Sequence, residues 1–388
     1  MIDYKKALKE YKTPFYVYDI DELESRVEYI RKSIPKGLKI VYAIKANTFV
    51  VKEIDSFVDK FEICSPGEFD ICNNLKIDYK KMVISGVNKD EEFIERLISN
   101  YDIGRYTIES LEHFDILSRL AKKYNKKIDV LIRLTSGNQF GVSESDFFYV
   151  IKNYDREYLN IEGLEYFSGT QKHMRRIEKE IDYINEFLDK LKNDYNFDVN
   201  EVEYGPGLPV EYYKQDEFDE NAFFKEFSDC IKRINCKNVL IESGRSLVAS
   251  CGSYLTSVVD MKSNQTGNYV IVDGWINHLV YYGSTLAMKT PPFEVLGNNT
   301  KEKDIYNIYG SLCTTNDVLI KNIELNKLNK SDVFVFKYTG AYSSTEGISL
   351  FLSRDLPKII LNKGNDFICV RDIIRTSDIN YPDYEKEN

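Results

Sequence analysis

Eight short apolar runs, each followed by a longer charged stretch, constrain this chain more than any other feature. The runs are LKIVYAI (38–44), FEIC (61–64), MVIS (82–85), GRYTI (104–108), IDVLIRL (128–134), NIEGLEYF (160–167), VEY (202–204) and NVLIE (238–242). Their length and β-branched content suit buried strands. The stretches between them, such as 90–100, 109–124 and 176–195, read as helices. The last sets Ile177, Ile181, Ile184, Phe187, Leu188 and Leu191 at helical spacing. Asp21 with Glu24 reads as a capping box opening the helix before the first run. Eight such units in about 200 residues fit a closed (β/α)8 barrel better than an open doubly wound sheet.

Beyond residue 248 the helical stretches thin out. Runs such as SYLTSVVDMK, GNYVIVDG, DVLIKNIEL, DVFVFKYTG and KIILNKG predict an antiparallel β domain. The expected division is a barrel over 20–247, with 1–19 and 248–388 forming the β domain.

Composition excludes several functions. The formal net charge is −10, with no basic cluster to grip a phosphate backbone, so nucleic-acid binding is not expected. No apolar run approaches the length of a membrane-spanning helix, and the first residues lack the apolar core of a signal peptide. The seven cysteines are odd in number and form no C-x-x-C pair, which predicts a reduced, cytoplasmic protein. The three histidines show no paired-ligand spacing, so no metal site is expected. His278, Trp275 and Arg354 are candidates for a distal pocket by position only.

Chemistry in such barrels gathers at the C-terminal ends of the strands. Those ends carry Lys45, Glu62 with Ser65, Arg133, Phe167 with Gly169 and Thr170, Gly205-Pro206-Gly207, and Glu242-Ser243-Gly244-Arg245. Singly, each has a plainer reading: a solvated strand-end lysine, a turn, a surface salt bridge. Together they describe one job. Glycine loops can bring backbone N–H groups to a phosphate, and Arg245 can add a charged contact. A shielded lysine can attack a carbonyl. Phe167 can cover a ring, and Glu242 can hold a pyridine nitrogen protonated. That combination is a pyridoxal phosphate site.

The same residues resemble the fold type III, alanine racemase-like pyridoxal phosphate decarboxylases, the group of the diaminopimelate, ornithine and arginine decarboxylases. The likeness runs from TPFYVYD (13–19) through YAIKAN (42–47), FEICSPGEFD (61–70), FGV (140–142), SGTQ (168–171), EYGPGL (203–208) and IESGRSLVA (241–249). It continues to GSLCTTNDVL (310–319) and TGAYSS (339–344). The resemblance implies that Lys45 forms the aldimine with pyridoxal 5'-phosphate and that Glu242 pairs with the pyridine nitrogen. It implies that Gly205, Gly207, Thr170, Arg245 and Tyr342 hold the phosphate. Phe167 then stands where a histidine usually stacks on the ring, with Glu62 and Arg133 near the reactive end. Cys313 would reach the site of the other subunit of a homodimer and return a proton once carbon dioxide has left. Thr314 and Asp317 would meet the substrate.

Three departures stand out. Pro206 and Pro209 replace glycines and have no N–H to donate. Glu165 lies where diaminopimelate decarboxylases often carry another histidine. Thr314 replaces the acidic residue that meets a distal amine, and threonine cannot neutralise a buried ammonium. The resemblance therefore points away from diaminopimelate, lysine and ornithine. It points towards the branch with the decarboxylase of carrier-protein-bound glutamate in butirosin biosynthesis. The expected activity is decarboxylation of an amino acid, or of an amino-acid moiety of a larger or carrier-linked substrate. The alternatives are an amino-acid racemase on the same fold and a non-catalytic cofactor-binding relative.

Overall fold

The computed structural model describes residues 2–213, 218–297, 300–347 and 350–383 of the 388. The chain divides into two compact units. One comprises 1–26, 211–218 and 248–388, the other 27–210 and 219–247. Strand β1 (Phe15–Asp19) belongs to the first unit. The next eight strands are β2 (Lys39–Ala43), β3 (Lys60–Ile63), β4 (Met82–Ile84), β5 (Arg105–Ile108), β6 (Ile128–Arg133), β7 (Leu159–Phe167), β8 (Glu201–Gly205) and β9 (Asn238–Ser243). They close into a parallel barrel, each pairing with the next and β2 with β9 through Lys39↔Leu240 to Tyr42↔Ser243. All eight expected runs are barrel strands.

The helices around the barrel start where their caps dictate. Ser65, Asp90, Ser110, Ser143 and Asp219 each accept a hydrogen bond from the backbone N–H three residues on. Such a cap is worth about 1 kcal/mol. Ser65, read from sequence as a rim candidate, is thus the cap of the helix Pro66–Asn74. The helix Met174–Tyr195 buries all six of its predicted apolar positions. Each buried side chain of that size contributes roughly 1.5–3 kcal/mol of transfer free energy. The capping-box reading of Asp21 fails. The helix Ile20–Ser33 begins two residues earlier than that cap implies, Asp19 accepts from Glu22 N, and Asp21 accepts from Gly364 N.

The first unit is built on β1 and eight further strands: β10 (Gly252–Asn264), β11 (Gly267–Val272), β12 (Phe293–Leu296), β13 (Lys303–Tyr309), β14 (Val318–Asn326), β15 (Val333–Lys337), β16 (Lys358–Lys363) and β17 (Asp366–Arg371) carry its sheet, with short helices at Tyr4–Glu10 and Ser377–Asn380. The strand order is β14-β13-β11-β10-β1-β16-β17, with β15 on β10 and β12 on β15. Most pairings are antiparallel as expected, but β1–β16 and β11–β13 are parallel. The sheet buries Phe15, Val17, Leu255, Val335 and Ile360 in one cluster. His278 is a core residue here, bonded through Nδ1 to the Tyr254 hydroxyl and packed on Trp275. Among the described residues no helix is long and apolar enough to cross a membrane.

Candidate active site

Strand β2 ends in a turn of 3-10 helix, Ile44–Ala46, that carries Lys45 clear of the barrel wall. The lysine side chain is 41% exposed, while its partners lie on the buried barrel floor. Nζ donates to Glu62 Oε2 at 2.7 Å and lies 3.5 Å from Glu242 Oε1. Glu62 is the third residue of β3 and Glu242 the fifth of β9, the two strands flanking β2, so both point inward beside the lysine.

This floor holds more acid than base. Burial would lower the Lys45 ammonium, but Glu62 and Glu242 push it well above its ordinary range. Burial would raise Glu62, but Lys45 and a hydrogen bond from Glu242 bring it down to about 2. Burial and the Glu62 charge together hold Glu242 well above the carboxylate range, so the proton of this pair sits on Glu242.

A second line of charge crosses the neighbouring strands. Arg133, at the end of β6, lies 3.0 Å from Glu109 and 3.2 Å from Glu165. Glu109 in turn pairs with Lys89 at 3.7 Å, and both side chains are buried. The guanidinium sits over the rings of Phe140 and Phe167 at 4.9 and 5.9 Å. Burial, opposed by Arg133 and reinforced by Glu109, lifts Glu165 to about 7. Glu203 is the register partner of Glu165 on β8 and neither of its carboxyl oxygens has a hydrogen-bond partner. Burial and the neighbouring carboxylates hold it protonated. Five carboxyl groups thus share this interior with Lys45, Lys89 and Arg133, and burial favours the protonated forms of Glu165, Glu203 and Glu242. Oxygens of Glu62, Glu165 and Glu242 lie within 4.8 Å of one another, close enough to hold a metal ion. Lys45 and Arg133 already bring two positive charges to that trio.

The two late loops press together. Gly207 has φ +60°, and a Cβ there would sit 2.3 Å from the Gly169 carbonyl oxygen and 2.9 Å from Thr170 Cα. A Cβ on Gly205 would sit 2.1 Å from Phe167 Cδ2. Only glycine permits these approaches. Arg245 opens a short helix, Arg245–Val248, directly after β9.

Lys45, Glu62, Arg133, Phe167, Thr170, Gly205, Gly207, Glu242 and Arg245 all belong to the barrel unit. Tyr342, Cys313, Thr314 and Asp317 belong to the other. Tyr342 is half-buried with φ +67°, and its carbonyl accepts from Thr345 N and Glu346 N. Cys313 and Thr314 are exposed on a loop beside a cavity of about 580 Å³ that Lys262, Tyr269 and Tyr309 also line. Asp317 is buried and shapes that loop, accepting from Leu312 N and Ile276 N at 2.7 Å each. Sequence reasoning passed over Lys89, Glu109 and Glu203. The first two follow β4 and β5, strand ends that the rim reading left blank. Glu203 sits inside a strand, where only the barrel's inward face reveals it.

The pyridoxal-binding domain of the pyridoxal-dependent decarboxylases matches residues 20–249. The chain is similar to the 2-[(L-alanin-3-ylcarbamoyl)methyl]-2-hydroxybutanedioate decarboxylase of Staphylococcus aureus, at 25% identity over 89% of this chain and 93% of the relative. It is also 25% identical to the L-glutamyl-[BtrI acyl-carrier protein] decarboxylase of Niallia circulans, over 94% of this chain and 92% of that one. Its fold matches the crystal structure of the diaminopimelate decarboxylase from M. jannaschii bound to L-lysine. That match has a TM-score of 0.85 and 22% identity, over 98% of this chain and 94% of the other.

Proposed function

Because the chain belongs to the pyridoxal-dependent decarboxylases, we propose that it uses Lys45 to remove carbon dioxide from an amino acid, or from the amino-acid moiety of a larger or carrier-linked substrate. The observation that carries this reading is the Lys45 amine, open on one side and held 2.7 Å from Glu62 and 3.5 Å from Glu242. The residues present fit pyridoxal phosphate: an accessible amine, a buried acid beside it, and a close-packed pair of loops that a Cβ would fill. When bound, the cofactor supplies an aldehyde that takes the substrate amine and a ring that accepts electrons as carbon dioxide leaves.

The chain's own residues then divide the remaining work. Glu242, held protonated, would offer that proton to the ring nitrogen. Glu62 keeps the Lys45 amine oriented and balances its charge. Phe167, braced by Arg133, would cover one face of the ring. Gly205, Gly207, Thr170 and Arg245 would hold the phosphate. Cys313 returns a proton to the substrate carbon. It does so in the site of a second copy, so the working form is a homodimer, in the cytoplasm.

Thr314 is exposed and neutral, which favours a substrate without a distal ammonium. Asp317 acts on that substrate by shaping the loop that presents Thr314. The names of two relatives support this choice, since one acts on carrier-linked glutamate and the other on an amide of a tricarboxylate.

The test is carbon dioxide release by the purified, cofactor-loaded protein over free amino acids and carrier-linked glutamate. Release from a substrate lacking a distal amine is expected. Exchange of the α-proton without release would replace this reading with the racemase.

A further inference from the structure

Lys172, in the loop after β7, has no part in the proposed reaction. Its side chain is fully buried, a costly position for an ammonium. Nζ donates to Glu180 Oε2 at 2.7 Å and to the Gly205 carbonyl at 2.9 Å. The backbone N–H of the same residue donates to the Gly207 carbonyl at 3.0 Å. Lys172 therefore grips the Gly-Pro-Gly segment at both glycines. Its ammonium also faces the Phe167 ring at 5.6 Å.

The preceding residue completes the grip. Gln171 has φ +54°, a strained value for glutamine. Its side chain bridges the backbone of Val210, donating to the carbonyl at 2.8 Å and accepting from the N–H at 2.6 Å. The loop after β7 is thereby stapled to the loop after β8 at three points. Between those points stand Pro206 and Pro209, which offer no N–H. A loop with fewer donors depends more on where its remaining donors are held and on the positive charge beneath them.

We infer that Lys172, with Gln171, is a positioning residue for the cofactor's phosphate: it fixes the spacing of the two loops and places a buried cation behind them. This rests on the proposed site. A purely structural ion pair would stabilise the chain whatever the ligand. A phosphate-positioning one acts only on ligands that carry the phosphate.

That difference sets the experiment. Cofactor is stripped from the wild type and from Lys172→Met, and binding of pyridoxal phosphate and of pyridoxal is titrated by the visible absorbance of the lysine-bound ring. Glu180 keeps Ser168, Tyr204 and Arg176 as donors in the variant, and the volume change is small, so the fold is expected to survive. Affinity for pyridoxal phosphate should fall by about tenfold or more, as for loss of a charge-assisted contact, with pyridoxal unchanged. Equal weakening of both ligands, or of neither, would overturn the inference. Should Lys172→Met fail to fold, Gln171→Ala removes the Val210 bridge without touching a buried charge. It must show the same selective loss, and equal binding of each ligand by Gln171→Ala and wild type would overturn the inference. A wild type with no lysine-bound absorbance would instead overturn the site on which the inference rests.

Discussion

Lys45 and Cys313 serve one proposed reaction but are held in opposite ways. Lys45 stands on a floor of buried carboxyl groups, with Glu62 and Glu242 on the two strands flanking its own. Cys313 stands on an exposed loop held from below by Asp317 and by Ser311. The difference teaches where each group's chemistry comes from. The acids beside the lysine come from its own unit, because barrel closure brings them to it. The cysteine is exposed in its own unit, which suits the role proposed for it in a second copy's site.

Removing the lysine tests the first half of that contrast most severely. Lys45→Ala should abolish both turnover and the visible absorbance of the bound cofactor, and carbon dioxide assays with absorbance spectra check it. A variant with full activity would move the chemistry elsewhere. Cys313→Ala should cut turnover by about 10²–10⁴-fold, the usual cost of a lost proton donor, and leave the absorbance intact. Loss of the absorbance would place Cys313 in the cofactor's own floor and erase the contrast.

A smaller effect sharpens the description of the floor. Glu165 titrates at about 7 in the folded chain against 4.5 when unperturbed. Folding therefore favours its protonated form. That contribution is full below about pH 4.5 and is lost as pH rises through about 7, amounting to about 3 kcal/mol. The melting temperature of cofactor-free protein should fall across that window, and Glu165→Gln should flatten the fall. Glu62 works in the other direction, since its stabilisation is present above about pH 4.5 and is lost as pH drops towards about 2. The smallest effect belongs to the exposed loop. Thr314→Asp should improve KM for a diamino acid by up to about fivefold, the scale of a solvent-exposed ion pair. Steady-state kinetics on such a substrate would show it.

Legibility follows the range of the interaction. Strands and helices were readable because their periodicity is local, as in the six buried positions of Met174–Tyr195. Lys45, Arg133 and Glu242 were readable because a strand end is a position in sequence. The Asp21 cap was misread because the helix starts at Ile20, so that Asp19 takes the backbone N–H instead. Lys89, Glu109 and Glu203 stayed hidden because their partners come from other strands and meet only inside the closed barrel. The parallel pairing of β1 with β16 joins residues more than three hundred positions apart, and no local pattern encodes it.

By itself, then, the sequence determined the succession of β/α units, the glycines that the late loops require and the lysine on which the chemistry turns. Each of these rests on backbone preference or on a side chain's own reactivity. Tertiary structure alone decided which carboxyl group keeps its proton. Glu62, Glu165, Glu203 and Glu242 are chemically alike, and only burial and distance to Lys45 and Arg133 tell them apart.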